Sequence, residues 1–302
     1  MRWLPVLIFW AILYAVGASN LPAALQASDR WLQNTPERLP NVRTVADRCQ
    51  LPYVDRFVAL HDWSQPTLLL LGDSQVFANS LDDHETWGHV LAADLGLEPL
   101  NLSVIDGRPG DTEQVVARVL AAGVTPALTI VDLNRAHLSL EQRDFRYVQG
   151  RAVLPWDYMI CAFEMRRRLI ETNMVLPSNG VPATTYQHIA LSPAYLSADQ
   201  SVITQLVPTF LNSVASIPGP SAAYVVPNNR DRFVDHEFDL TRYKASGQVI
   251  EATCQASRID LCLGEPTTLT DGDYIDIVHL NPLGNRKFAD LLALRLRAFA
   301  PG

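Results

Sequence analysis

Between residues 67 and 131 the sequence alternates short apolar runs with stretches of helical periodicity, and this alternation limits the possible folds more than any other feature. Thr67-Leu68-Leu69-Leu70-Leu71 is a short apolar run closed by Gly72. It reads as a strand buried on both faces, where every side chain meets a core and not only every second one. His84 to Leu95 then carries Trp87, Val90, Leu91 and Leu95 on one helical face and stops at Gly96. Leu97 to Val104 reads as a second strand, and Thr112 to Ala122 as a helix ended by Gly123. Ala127 to Val131 reads as a third strand, and Ala222 to Val226 as a fourth before Pro227. Leu283 to Phe299 has the spacing of an amphipathic helix. Strand, helix, strand, helix, strand predicts an α/β domain whose parallel sheet is covered by helices on both faces. Such sheets carry their sites at the carboxyl ends of the strands.

That domain is expected over residues 65–302. Residues 136–200 are less regular, with helical spacing from Tyr158 to Met174 and breakers at Pro177, Gly180 and Pro182. They read as an insertion near the site, a place for substrate selection. Residues 28–64, interrupted by Pro36, Pro40 and Pro52, read as a stalk. Ahead of them, Trp3 to Ala27 contains no charged residue and follows Arg2. The segment 1–27 reads either as a signal peptide cleaved near Val16-Gly17-Ala18 or as an uncleaved membrane anchor, since about 20 apolar residues span a bilayer. Either way Arg2 stays on the cytoplasmic side and the rest is exported.

Composition narrows the partners. A net charge of −8 lacks the basic footprint that nucleic acid needs. With 48% hydrophobic and 19% charged residues, the chain is a folded one and not a disordered one. The four cysteines, Cys49, Cys161, Cys254 and Cys262, form no C-x-x-C pair, which argues against zinc. An even count suits an oxidising compartment, against the alternative of four buried thiols. The short spacing of Cys254 and Cys262 predicts a disulfide between them.

Two places carry candidate chemistry. Gly72-Asp73-Ser74-Gln75 directly follows the first strand, so the Ser74 hydroxyl would face the open crevice among backbone N–H groups. Gly, Asp and Ser also make ordinary turns. Near the C-terminus stands Asp273-Tyr274-Ile275-Asp276-Ile277-Val278-His279-Leu280-Asn281-Pro282. A serine hydroxyl needs a base to become a nucleophile, and His279 suits that role. A carboxylate must hold the imidazole tautomer, and Asp276 stands three residues earlier, so one tight loop can deliver both. This is not the Gly-x-Ser-x-Gly elbow, whose acid and histidine lie farther apart.

Taken in order, the blocks resemble the SGNH (GDSL-like) hydrolase family across residues 66 to 300. Gly72-Asp73-Ser74 is similar to its nucleophile block. Asn101-Leu102-Ser103-Val104 leading to Gly110-Asp111-Thr112 is similar to its second block, whose glycine N–H faces the oxyanion. Asp132-Leu133-Asn134-Arg135 matches the third block, often Gly-x-Asn-Asp, which supplies an Asn side chain. Asp276 and His279 match the closing Asp-x-x-His. There are departures. Asp132 stands where glycine is usual and Arg135 where aspartate is usual. Asp106-Gly107-Arg108-Pro109 lengthens the second block, which makes Gly107 an alternative to Gly110.

The resemblance implies a three-layer α/β/α sandwich with a parallel, flavodoxin-like sheet. It also implies acyl transfer through Ser74, His279 and Asp276, with an oxyanion hole from the Ser74 N–H, the Gly110 N–H and the Asn134 amide. No metal or organic cofactor is needed for that chemistry. The expected substrate is an acyl ester, most plausibly an acetyl ester of carbohydrate. Two alternatives stay open: an O-acyltransferase acting on an exported polysaccharide, and a non-catalytic SGNH-like binding protein. Three other clusters have bland readings as well as functional ones. Asp82, Asp83 and His84 read as a helix start sooner than a metal site. Asn228, Asn229, Arg230 and Arg232, after the fourth strand, could meet a polar substrate or form a solvated loop. Arg166-Arg167-Arg168 reads as a solvated helix face.

Overall fold

The computed structural model describes residues 54, 57–59, 61–77, 81, 83–103, 108–135, 138, 200–232, 240–275 and 277–299. Most of the stalk, the N-terminal segment, most of the 136–200 insertion, Cys49, Cys161, Gly107 and Asp276 lie outside them. Among the described residues no helix is long and apolar enough to cross a membrane.

Among the described residues five parallel strands form one sheet. They are β1 (Thr67–Leu71), β2 (Glu98–Asn101), β3 (Leu128–Leu133), β4 (Ser221–Val225) and β5 (Leu261–Leu263), in the order β2-β1-β3-β4-β5. The sequence reading has four of these; β5 is the addition. Leu69 pairs with Leu100 on one side and Thr129 on the other, so β1 is an interior strand, with the central strand β3 beside it. From β1 the chain turns one way to β2 and then returns past it to β3. This reversal opens a crevice at the carboxyl ends of β1 and β3.

The helices that flank the sheet are α2 (Trp87–Leu95), α3 (Pro109–Ala121), α4 (Gln200–Val214), α5 (Leu240–Gln255) and α6 (Pro282–Leu296). One short helix, α1 (Ser74–Phe77), follows β1. Alternate residues of each strand enter two cores. Leu69, Leu71, Val131 and Val225 pack with Val115, Val207, Leu211 and Ile250 of α3, α4 and α5. Leu68, Leu70, Ile130 and Tyr224 pack with Trp87, Leu91, Phe288 and Leu292 of α2 and α6. The run of leucines in β1 is therefore apolar throughout because both its faces are inside. This is the three-layer sandwich expected from the sequence.

Several boundaries move for local reasons. The helix expected from His84 begins at Trp87, because Thr86 is the N-cap and accepts the His89 N–H, while Asp83–Glu85 forms a separate 3-10 turn. Gly96 ends it in the left-handed region at φ 68°. The helix expected from Thr112 begins three residues earlier, at Pro109, a favoured first position. Of the four residues that lengthen the second block, Arg108 is the N-cap of α3 and Pro109 its first residue.

Cys254, at the end of α5, is bonded to Cys262 in β5, with Cα atoms 5.9 Å apart. The bond fastens the edge strand to its own helix. Replacing both cysteines by alanine is expected to lower stability by about 2–3 kcal/mol, the value that chain entropy gives for so short a loop. Urea unfolding checks this: the midpoint should fall, and an unchanged midpoint would show that the bond constrains nothing.

Candidate active site

The turn after β1 presents Ser74. Gly72 has φ 141°, a region that side chains rarely adopt, and a Cβ there would lie 2.4 Å from Asp132 Oδ1. Glycine is required twice over, by backbone angle and by space. Asp73 is 1% exposed and acts as the cap of the short helix: its Oδ1 accepts the Gln75 N–H at 2.7 Å. Its own N–H donates to Asp132 Oδ2 at 3.2 Å. Asp132, the departure from glycine in the third block, thus grips the turn from the neighbouring strand. Asn101, at the end of β2, donates its Nδ2 to the Val76 carbonyl at 3.0 Å and holds α1 from the other side.

His279 arrives from the far end of the chain. Its Nε2 lies 3.1 Å from Ser74 Oγ, although the two residues are 205 apart in sequence. Both are partly buried, as reacting groups at the rim of a crevice must be. The loop that carries His279 is pinned at many points. Tyr274 and Leu280 form an antiparallel bridge, and the Ile275 N–H donates to the His279 carbonyl at 2.8 Å. Asn285, buried in α6, donates to the Leu280 carbonyl at 3.0 Å and accepts the Trp87 N–H at 2.9 Å. Lys287 pairs with buried Asp273 at 2.7 Å. Burial alone would raise the Asp273 carboxyl, but Lys287 and the Thr270 hydrogen bonds outweigh it and hold it below its ordinary value. Asp276 lies outside the described residues.

The candidate oxyanion donors are placed differently. Gly110 is the second residue of α3 and is exposed. Its N–H belongs to the first turn, where no intrahelical acceptor exists and negative charge is favoured. Its neighbours in the motif do structural work: Asp111 Oδ2 accepts the Arg108 N–H at 3.0 Å, and Thr112 is buried. Arg108, Pro109 and Thr112 line a small cleft with Asp132 and Asn134, so α3 starts beside the end of β3. Asn134, 7% exposed, donates its Nδ2 to Asp73 Oδ2 at 2.5 Å. It therefore sits against the nucleophile turn.

The other clusters also have places. Asn228 and Asn229 are buried, at 3% and 1% exposure, and so are not a solvated loop. Arg135 is buried too, and pairs with Glu265 at 2.8 Å. Sequence reasoning missed Glu265, Asn285 and Asn101 as holders of the site. Asn285 is buried and the other two are partly buried, and periodicity passes over polar residues in such places. Among the described residues no group of three His, Cys, Asp or Glu side chains could hold a metal ion.

No protein-family model matches the sequence, and no curated protein does. Solved structures with a similar course include a putative lipolytic protein of the G-D-S-L family from Desulfitobacterium hafniense. It is 11% identical, with 76% of this chain and 98% of that one covered and a TM-score of 0.42. What the structure itself shows is the five-stranded parallel sheet between two layers of helices. A carbohydrate esterase family 2 enzyme from Corynascus thermopiles (Myceliophthora fergusii), with its carbohydrate binding domain, is 12% identical at a TM-score of 0.39. It is matched over 77% of this chain and 66% of its own. A family two carbohydrate esterase from Clostridium thermocellum, in complex with cellohexaose, is 10% identical at a TM-score of 0.42, over 77% and 63%. The chain spans less than two thirds of those two esterases. At these identities the likeness is one of fold.

Proposed function

We propose that this chain is an exported serine ester hydrolase that acts through an acyl-enzyme on small acyl esters of carbohydrate, acetyl esters first. The observation that carries the proposal is the 3.1 Å approach of His279 Nε2 to Ser74 Oγ at the carboxyl end of the sheet. This is the reach a general base needs to take a nucleophile's proton. As Ser74 Oγ attacks the ester carbonyl, His279 accepts that proton. The tetrahedral oxyanion takes hydrogen bonds from the Ser74 N–H, the Gly110 N–H and the Asn134 amide. His279 then protonates the leaving alcohol, and water attacks the acyl-enzyme to release the acid. Asp276 is the carboxylate that orients the imidazole. Export is supported by the uncharged run behind Arg2 and by the Cys254–Cys262 bond, which suits an oxidising compartment. An anchor at residues 1–27 would keep the domain at the membrane surface.

The test is labelling of the purified protein with a fluorophosphonate probe, followed by peptide mapping and assay on an acetylated oligosaccharide. The expected result is one labelled peptide containing Ser74, and release of acetate. Labelling elsewhere, or none, sinks the assignment. Faster transfer of the acetyl group to an oligosaccharide than to water would make the chain an acyltransferase with the same machinery.

Asn134→Ala should lower turnover by about 10²–10³, the usual cost of one oxyanion donor, and leave measurable activity from the two backbone donors. Steady-state kinetics on p-nitrophenyl acetate reads it. An unchanged kcat would remove Asn134 from the hole and leave it as a support for Asp73.

A further inference from the structure

The loop after β4 reaches two ways. On its inner side, Glu265, with its side chain 8% exposed, gathers the loop onto the sheet. Its Oε1 accepts the Asn228 N–H at 3.3 Å and the Tyr243 hydroxyl at 2.6 Å, and its Oε2 pairs with Arg135 at 2.8 Å. On its outer side, Asn229 touches the segment that carries His279. The Asn229 N–H donates to the Ile277 carbonyl at 2.8 Å, two residues before the histidine. Its side-chain Nδ2 donates to Asp271 Oδ1 at 2.7 Å, near the start of the same segment. Asp231 adds a third tie by accepting the Asp271 N–H at 3.1 Å.

Asn229 pays for this placement. It is 1% exposed, and its Oδ1 has no hydrogen-bond partner. A buried acceptor left in that state is destabilising, so stability alone does not account for the amide. What the amide supplies is geometry: one residue spans the loop from Asp271 to Ile277 and ties it to the rigid end of β4.

We propose that Asn229 is a positioning residue for His279, acting through Asp271 and the Ile277 carbonyl. This rests on the reading of His279 as the base. A displacement of about 1 Å between base and nucleophile can cost about a hundredfold in rate while leaving substrate binding intact. Asn229 thereby belongs to the reaction without touching a reacting atom.

The test uses the full chain and the exposed partner, whose variants should fold. Asp271→Ala removes the acceptor of the Asn229 amide; Asp271→Asn keeps an oxygen in its place. Asp271→Ala should lower kcat on p-nitrophenyl acetate between about ten- and a hundredfold with KM unchanged. Asp271→Asn should restore most of it. Asn229→Ala should fall similarly, and the double variant Asn229→Ala/Asp271→Ala no further, because the two act through one bond. Nitrogen NMR of the His279 imidazole provides a second readout that does not need turnover. Its resonances should move in Asp271→Ala and return in Asp271→Asn. An unmoved imidazole and normal kcat in Asp271→Ala would overturn the proposal, as would additive losses in the double variant. If the wild type neither hydrolyses the ester nor labels at Ser74, the enzyme reading fails instead, and the imidazole shift still decides whether Asn229 holds His279.

Discussion

Replacing Ser74 by alanine should abolish turnover of p-nitrophenyl acetate, a loss of at least about 10⁴-fold, and leave the fold intact. The size follows from the role: without the hydroxyl no acyl-enzyme forms, and what remains is catalysis by the oxyanion donors and by binding alone. Stability should change little, because Ser74 is partly exposed at the start of a four-residue helix and fills no core. His279→Ala should cost about as much. The two side chains meet at 3.1 Å and act as one unit, so the double variant should be no worse than either single one. The measurement is kcat/KM for all three variants beside their thermal midpoints. Near-normal turnover in Ser74→Ala would end the catalytic assignment. Equal loss with a collapsed midpoint would mean that the turn had been disrupted.

The central strands were legible because burial on both faces leaves nothing but apolar residues, and a run such as Leu68 to Leu71 has no other easy reading. The elements that were not legible share a different trait. In α5 the buried positions are Tyr243, Ser246, Ile250 and Cys254, so three of the four are not aliphatic and the helical period is masked. In α4 the buried Ile203, Val207, Phe210, Leu211 and Val214 keep a good period, but Pro208 sits among them and reads as a breaker. The strand β5 is three residues long, too short for any period, and is held by its bond to α5.

The same division runs through the site. Ser74 and His279 could be found because their chemistry has a sequence spacing and a partner. The residues that aim them could not, because a buried amide or carboxylate has no pattern until its partner is known. Asp132 shows this best. As a departure from glycine it weakened the third block, yet its carboxylate fits over Gly72 and takes the Asp73 N–H. Burial, with Asp132 and Asp73 close by, also pushes the Tyr224 phenol well above its ordinary value and keeps it neutral. Arg135, the other departure, is explained by Glu265, which lies 130 residues away in sequence.

That pair carries the largest stability effect expected here. Glu265→Ala should destabilise the protein by about 3–5 kcal/mol, because it leaves a buried guanidinium without its carboxylate. Arg135 has a side chain only 2% exposed and cannot reach water, whereas Arg230, at 36%, can turn outward. Three contacts remain to Arg135 in the variant, one of them from Nη1 to the Val226 carbonyl at 3.4 Å. Its Nη1 still donates to the Tyr243 hydroxyl at 3.0 Å, and its guanidinium still stacks 4.0 Å from that ring. Burial first, and the Glu265 carboxylate after it, hold the Tyr243 phenol far above its usual value in the wild type. No backbone shift offers easy relief, since Gly247 already gives up its side chain to Arg135: a Cβ there would lie 2.2 Å from Nη2. Replacing the charges together, as Arg135→Met/Glu265→Leu, should recover much of the loss, because an apolar pair of similar volume has no desolvation to offset. Urea unfolding of the single and double variants measures both effects. If Glu265→Ala unfolds within about 0.5 kcal/mol of the wild type, the range of an ordinary surface substitution, then Arg135 reaches solvent and the cluster is not the buried anchor of the β4 loop.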